Sequence, residues 1–247
     1  MAFSVHFVGD GGEHRMKHHD RRLFGLFIRD ELKNKQSYCV IRDSYILPNR
    51  LGNEGDLSLA RCNAGGKSEI SEAYSIDYFN RVHHTLFTIF ETQVQYWIDF
   101  KMVDFITSWI DDNYMEIRLG ISVTRAMVAP GKTDDDFHFE NGVELIDKKV
   151  RGLIIARNSV IKQQNFFHSI LHIWCQTPKI ANIVESVASQ LDPEEYGLTM
   201  KGSFCILITY CDDPKLYKNY YNLNPTDQLI PLTIIPKPTT TTKPNSK

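Results

Sequence analysis

The stretch from Tyr114 to Val128, YMEIRLGISVTRAMV, constrains this chain more than any other. Met115, Ile117, Leu119, Ile121 and Val123 alternate with Glu116, Arg118, Gly120, Ser122 and Thr124. A period of two places one face of a β-strand in a core and leaves the other for water or another chain. It is the longest clean alternation in the sequence, and it lies near the middle. One residue breaks the pattern: Arg125 falls on the apolar register, while Ala126 and Val128 suit the opposite face. Two readings stay open. The strand reaches a sheet edge or a β-bulge that swaps its faces, or an inward Arg125 binds an anion or a carboxylate of a neighbouring chain.

Other segments group around that strand. Met1 to Asp10 reads as a short strand closed by the Gly9–Gly12 turn. Glu13 to Lys35 reads as an amphipathic helix with Leu23, Phe24, Phe27, Ile28 and Leu32 on one stripe. Ser37 to Leu47 is a strand stopped by Pro48-Asn49, and Leu57 to Cys62 a short one. Lys67-Ser68 opens a helix to about Val82, with Ser68 at the N-cap and Glu69 and Glu72 at the positive helix start. His84 to Ile110, rich in β-branched and aromatic residues, predicts two strands. Pro130 to Asn141 is an acidic loop, and Val143 to Ile161 a hairpin with Gly152 at a bulge. Phe166 to Cys175 is apolar on both faces, hence a central strand. Thr177-Pro178 starts a helix carrying Ile180, Ile183, Val184, Val187 and Leu191, ended by Asp192-Pro193. Phe204 to Tyr210 is a further buried strand, and Leu216 to Tyr221 a helical turn.

The sum is an α+β chain. Its core is a β-sandwich of about seven or eight strands, joined by an N-terminal amphipathic helix and two or three further helices. Residues 1–35 form an N-terminal arm and helix, 36–235 the sandwich, and 236–247 a Pro/Thr/Lys tail without core-forming residues. With 247 residues, 42% hydrophobic, a full core can form. A net charge of −2 argues against a protein held on nucleic acid mainly by phosphate contacts. No apolar run is long enough to span a bilayer, and the N-terminus lacks the pattern of a signal peptide. Five cysteines without a CxxC pair read as buried thiols in a reducing compartment.

Catalytic motifs fail on inspection. Ala64-Gly65-Gly66-Lys67-Ser68 resembles a phosphate-binding loop, but position 61, where the first glycine belongs, is Arg61. His14 and His18 stand four apart, as two zinc ligands on a helix would, without a matched third ligand. Asp134-Asp135-Asp136 and Glu140 lack the glycine and final acid of a calcium loop. Tyr217, Tyr220 and Tyr221 with Lys215 and Lys218 form either a stacking surface for single-stranded nucleic acid or a packing and subunit contact.

Several segments, in order, resemble the cypovirus polyhedrins, which crystallise inside infected insect cells. They are Arg22-Leu23-Phe24, ISEAY (Ile70–Tyr74), EIRLGISVTRAMVAPGK (Glu116–Lys132), NFFHSILHIW (Asn165–Trp174) and SFCILITYCDDPKLYKNYYNLNP (Ser203–Pro225). The chain has fewer tyrosines than that family, and its tail is not a family mark. The resemblance implies a non-enzymatic occlusion-body protein in the host cytoplasm, forming trimers and a lattice around virions and dissolving in alkali. It implies assembly contacts from the first helix, at Arg21, Arg22, Leu23, Phe24 and Phe27, with Arg125 as a further contact. Tyr217, Tyr220, Tyr221, Lys215 and Lys218 become candidates for alkaline release. A nucleotide between subunits is a family feature with no motif here to carry it. The alternative expectation is a viral matrix-type or RNA-binding protein.

Overall fold

The computed structural model describes residues 2–6, 14–17, 38–60, 69–98, 100–110, 114–197 and 204–217. Six strands form the body of a mixed sheet: β3 (Tyr38–Ser44), β4 (Phe87–Phe90), β5 (Phe105–Ile110), β6 (Glu116–Ala126), β7 (His168–Cys175) and β8 (Phe204–Tyr210). Two short strands, β1 (Ala2–His6) and β2 (His14–Lys17), extend it, giving the order β2-β1-β3-β8-β7-β6-β5-β4. Neighbours from β3 through β8 and β7 to β6 are parallel, whereas β6, β5 and β4 are joined antiparallel. Among the described residues, four helices accompany the sheet: α1 (Asn53–Ala60), α2 (Glu69–His83), α3 (Phe139–Ser159) and α4 (Pro178–Ser189), an α+β arrangement.

These elements make one sheet with helices on both faces, and not the expected pair of facing sheets. On one face Ile70, Tyr74 and Tyr78 of α2 pack on Ile121, Ile170, Trp174 and Leu207. On the other, Ile146, Val150 and Leu153 of α3 and Ile180 and Val184 of α4 cover Leu171, Ile173 and Ile206. The cause lies in β7 and β8, whose successive residues are apolar and buried on both sides. Parallel strands joined by crossover helices need that double cover, and the helices supply it.

Three other expectations change. Residues 143–159 of the expected hairpin lie in α3: Gly142, Ile146, Val150, Leu153 and Ala156 are buried at helical spacing, and Gly152 lies within the helix. Residues 57–60 belong to α1 rather than to a strand. At the N-terminus, His14–Lys17 pairs antiparallel with Ala2–Val5, so the expected helix does not begin at Glu13. The helix start at Thr177 is as expected: Ile180 N donates to Thr177 Oγ1 at 3.2 Å, with Pro178 in the first position.

Several polar groups inside the α2 face are paired. Tyr78 Oη donates to Asp43 Oδ2 (2.7 Å), and Trp174 Nε1 donates to Ser75 Oγ (2.8 Å). His172 Nε2 bonds Thr209 Oγ1 at 3.0 Å. Burial pushes the His172 pKa well below 6.5, helped by His83, so its ring is neutral.

Candidate functional site

Arg125 resolves first. The β6–β7 register runs unbroken from Leu119↔His168 to Ala126↔Cys175, so no bulge swaps the faces. Arg125 therefore points inward with Ile121 and Val123, and Nη1 donates to Leu216 O at 3.1 Å. Burial lowers its pKa, opposed by the nearby Tyr217 and Glu72. Its partner is its own chain, at the 3-10 turn Pro214–Tyr217.

Tyr217 is buried in that turn, and its hydroxyl donates to Cys211 O at 2.8 Å. Burial raises its pKa, so it is neither a stacking platform nor an early alkaline trigger. Lys215 is exposed beside it. Arg21, Arg22, Leu23, Phe24, Phe27, Lys218, Tyr220 and Tyr221 lie outside the described residues, as do His18, His19 and the Ala64–Ser68 stretch. His14 sits on a strand, which removes the helical spacing behind the zinc reading. Among the described residues no group of three or more His, Cys, Asp or Glu could hold a metal.

A notch beside β6 was not foreseen. The first residue of β5, Phe105, faces Ile121, so beyond that point no strand pairs with this edge of β6. The peptide groups left without a strand partner there include those of buried Val123, whose N–H and C=O point to the same side. Asp104, just before β5, accepts Val123 N on Oδ2 at 2.5 Å and Ser122 Oγ at 3.0 Å. Lys149 reaches from α3 and donates from Nζ to Val123 O at 3.0 Å. A carboxylate and an ammonium thus grip one residue, yet no ion pair joins them. Glu91 N donates to Asp104 O at 3.0 Å. Tyr96, pushed up to about 12 chiefly by burial, feels both the Glu91 and Asp104 charges. The signal in the sequence was Asp104, a lone acid within the apolar run from Met102 to Ile110; Lys149 was hidden by the hairpin reading.

The opposite end of the sheet, where β6 and β7 begin, carries two features. A shallow pocket of about 290 Å³ is lined by Glu116, Arg118, Asn165, Phe167 and His168. It is already occupied by internal bonds: Arg118 forks onto both Glu116 oxygens (3.0 and 2.9 Å) and Nη1 donates to Gln163 O at 2.5 Å. Exposed apolar side chains form a fringe toward this end of the sheet. Trp97 is 75% exposed, although its N–H is fixed on Ser159 O at 2.8 Å, and Ile98 and Phe100 follow. Leu86, Tyr114 (88% exposed) and Met115 continue the fringe along β4, β5 and β6. No protein-family model, curated protein or solved structure matches the chain.

Proposed function

We propose that this chain is a structural protein that works by assembling with copies of itself. The carrying observation is the apolar fringe at the starts of β6 and β7. Monomeric proteins rarely leave contiguous large apolar side chains in water, and such patches mark contacts. The Tyr96–Val160 bridge and the Trp97–Ser159 bond hold the backbone under Trp97, so its exposure is built in. Nearby, Thr85–Phe90 carries no charge along β4, the last strand of the sheet. Terminal strands usually carry charge or proline to prevent pairing with another chain.

Trimers, a lattice around virions, an occlusion-body setting in host cytoplasm and alkaline dissolution all rest on the polyhedrin resemblance. That resemblance implies two facing sheets, and the single helix-covered sheet differs from it. The reading therefore stands on the surface more than on the fold. The matrix-type or RNA-binding alternative loses Tyr217 from its stacking surface. Light scattering of the purified chain tests the proposal, with electron microscopy of expressing cells for crystalline inclusions. Self-association should weaken in Trp97→Ser/Phe100→Ser; a monomer at every concentration refutes the proposal.

A further inference from the structure

Cys39 of β3 and Cys205 of β8 stand directly opposite each other in the parallel register. Both side chains are buried in the α2 face of the core, among Ile41, Ile170 and Leu207. A thiol–thiol hydrogen bond joins them. Paired residues of neighbouring strands lie about 4.7–4.9 Å apart, inside the window of about 4.4–6.8 Å between the Cα atoms of a disulfide. Their Cβ atoms leave the same face side by side, slightly beyond the usual disulfide spacing of about 3.8 Å. A bond between them pinches the two strands together and is more easily reduced than an unstrained one. Among the described residues no other thiols are so placed. Cys175 lies in the opposite core layer, and Cys211 follows the far end of β8.

We propose that Cys39 and Cys205 form a reversible intrachain disulfide that fastens β3 to β8. The oxidant is a small disulfide such as oxidised glutathione. One protein thiolate attacks a glutathione sulfur, forming a mixed disulfide and releasing a glutathione thiolate. The second protein thiolate then displaces the other glutathione. Two protein S–H bonds are lost, one S–S bond forms, and the two protons end on two reduced glutathiones. The folded pair is protected from this exchange. Burial, and after it the hydrogen bond with Cys39, holds the Cys205 thiol well above its ordinary value of 9, and only a thiolate is nucleophilic. Exchange therefore proceeds through local opening of β8 from β3, and the closed bond is shielded from reductants in the same way. Its effect on the fold is specific, because β8 connects β3 to β7 within the sheet. Both thiols lie inside one chain, so the cross-link is independent of self-assembly.

The test holds the full-length chain in oxidised glutathione at a urea concentration below its unfolding transition. Remaining thiols are then blocked, and the digest is mapped by mass spectrometry with and without reduction. One peptide pair linked through Cys39 and Cys205 is expected. The linked chain should melt about 5–15 °C higher, since the bond closes a long loop. Dithiothreitol should reverse both changes. Cys39→Ala should abolish the linked peptide and the Tm shift, whereas Cys175→Ala should keep them. If Cys39→Ala does not fold, the map of the unsubstituted chain decides alone. Absence of the linked peptide at full oxidation overturns the proposal. So do links scrambled among all five cysteines, or a linked chain no more stable than the reduced one.

Discussion

Gly120→Ala is a single added methyl group whose effect can be worked out from its surroundings. Gly120 lies in β6 between Leu119 and Ile121. A Cβ there would overlap Cε2, Cζ and Cδ2 of the Phe166 ring. Phe166 is 1% exposed within the α3 face of the core and also lines the 290 Å³ pocket, so the ring can yield in part. Expelling it entirely would lose about 3–5 kcal/mol, the range for deleting a buried Phe. Removing a strand glycine returns about 0.4–1 kcal/mol by stiffening the unfolded chain. Partial yielding leaves a net loss of about 2–3 kcal/mol, within the range for overpacked cores. For a chain of this size that lowers Tm by about 4–12 °C. Differential scanning calorimetry of Gly120→Ala, Phe166→Leu and the double variant closes a cycle. The smaller ring-free side chain should make the alanine nearly neutral, with a coupling above about 1 kcal/mol. A Gly120→Ala protein within about 0.5 kcal/mol of the parent, or additive variants, would refute the reasoning.

Tyr78→Phe leaves Asp43 Oδ2 without its 2.7 Å donor in a buried setting, so chemical denaturation should show a loss of about 1–3 kcal/mol. His172, whose folded pKa is depressed, contributes stability that is complete above its unfolded value near 6.5. As pH falls below that value the contribution fades by about 1.4 kcal/mol per unit, and His172→Asn should flatten that slope in urea titrations. On the alkaline side, Tyr96 and Tyr196 are pushed up to about 12 and Cys211 to about 11, each chiefly by burial. Their stabilisation is complete below the unfolded values of 10 and 9 and is lost as pH rises through the folded ones. The share of tyrosinate absorbance that Tyr96→Phe and Tyr196→Phe remove should therefore appear together with the loss of circular dichroism above about pH 10, as one unfolding step. That share appearing in a still-folded chain would contradict this. Arg125→Ala should cost about 1–3 kcal/mol and expose the Pro214–Tyr217 turn to proteolysis, since its bond to Leu216 O is lost.

The strands were legible where one face alternates or both are apolar. Tyr38–Ser44, Glu116–Ala126, His168–Cys175 and Phe204–Tyr210 all lie within segments read as strands. The layer arrangement was misread, although the clue was present. Buried residues on both faces of β7 and β8 require two covering layers, and the sequence already held helices enough to supply them. α3 was missed because Val143, Val150, Ile154 and Ile155 are β-branched and Gly152 resembled a bulge. Burial of a whole helical face outweighs those local preferences. Arg125 was recognised as irregular, but its partner, Leu216 O, lies 91 positions away, and no local pattern encodes that. The Asp104–Lys149 notch was invisible for the same reason: it exists only where β5 stops short of β6.

The pairing of β3 with β8 sets an order for synthesis. Tyr38 lies beside Phe204, and the register holds as far as Ser44 and Tyr210. A chain emerging from the ribosome exposes Cys39, Val40 and Ile41 long before their neighbours Cys205, Ile206 and Leu207 have been made. Contacts of such sequence separation form slowly, because a long loop must close before any stabilisation is gained. A nascent chain ending between residues 175 and 204 therefore carries two unpaired apolar strand edges, one on β3 and one on β7. Such edges bind other chains as readily as their own. Among the described residues, the last-made strand is the one that joins β1, β2 and β3 to the rest of the sheet.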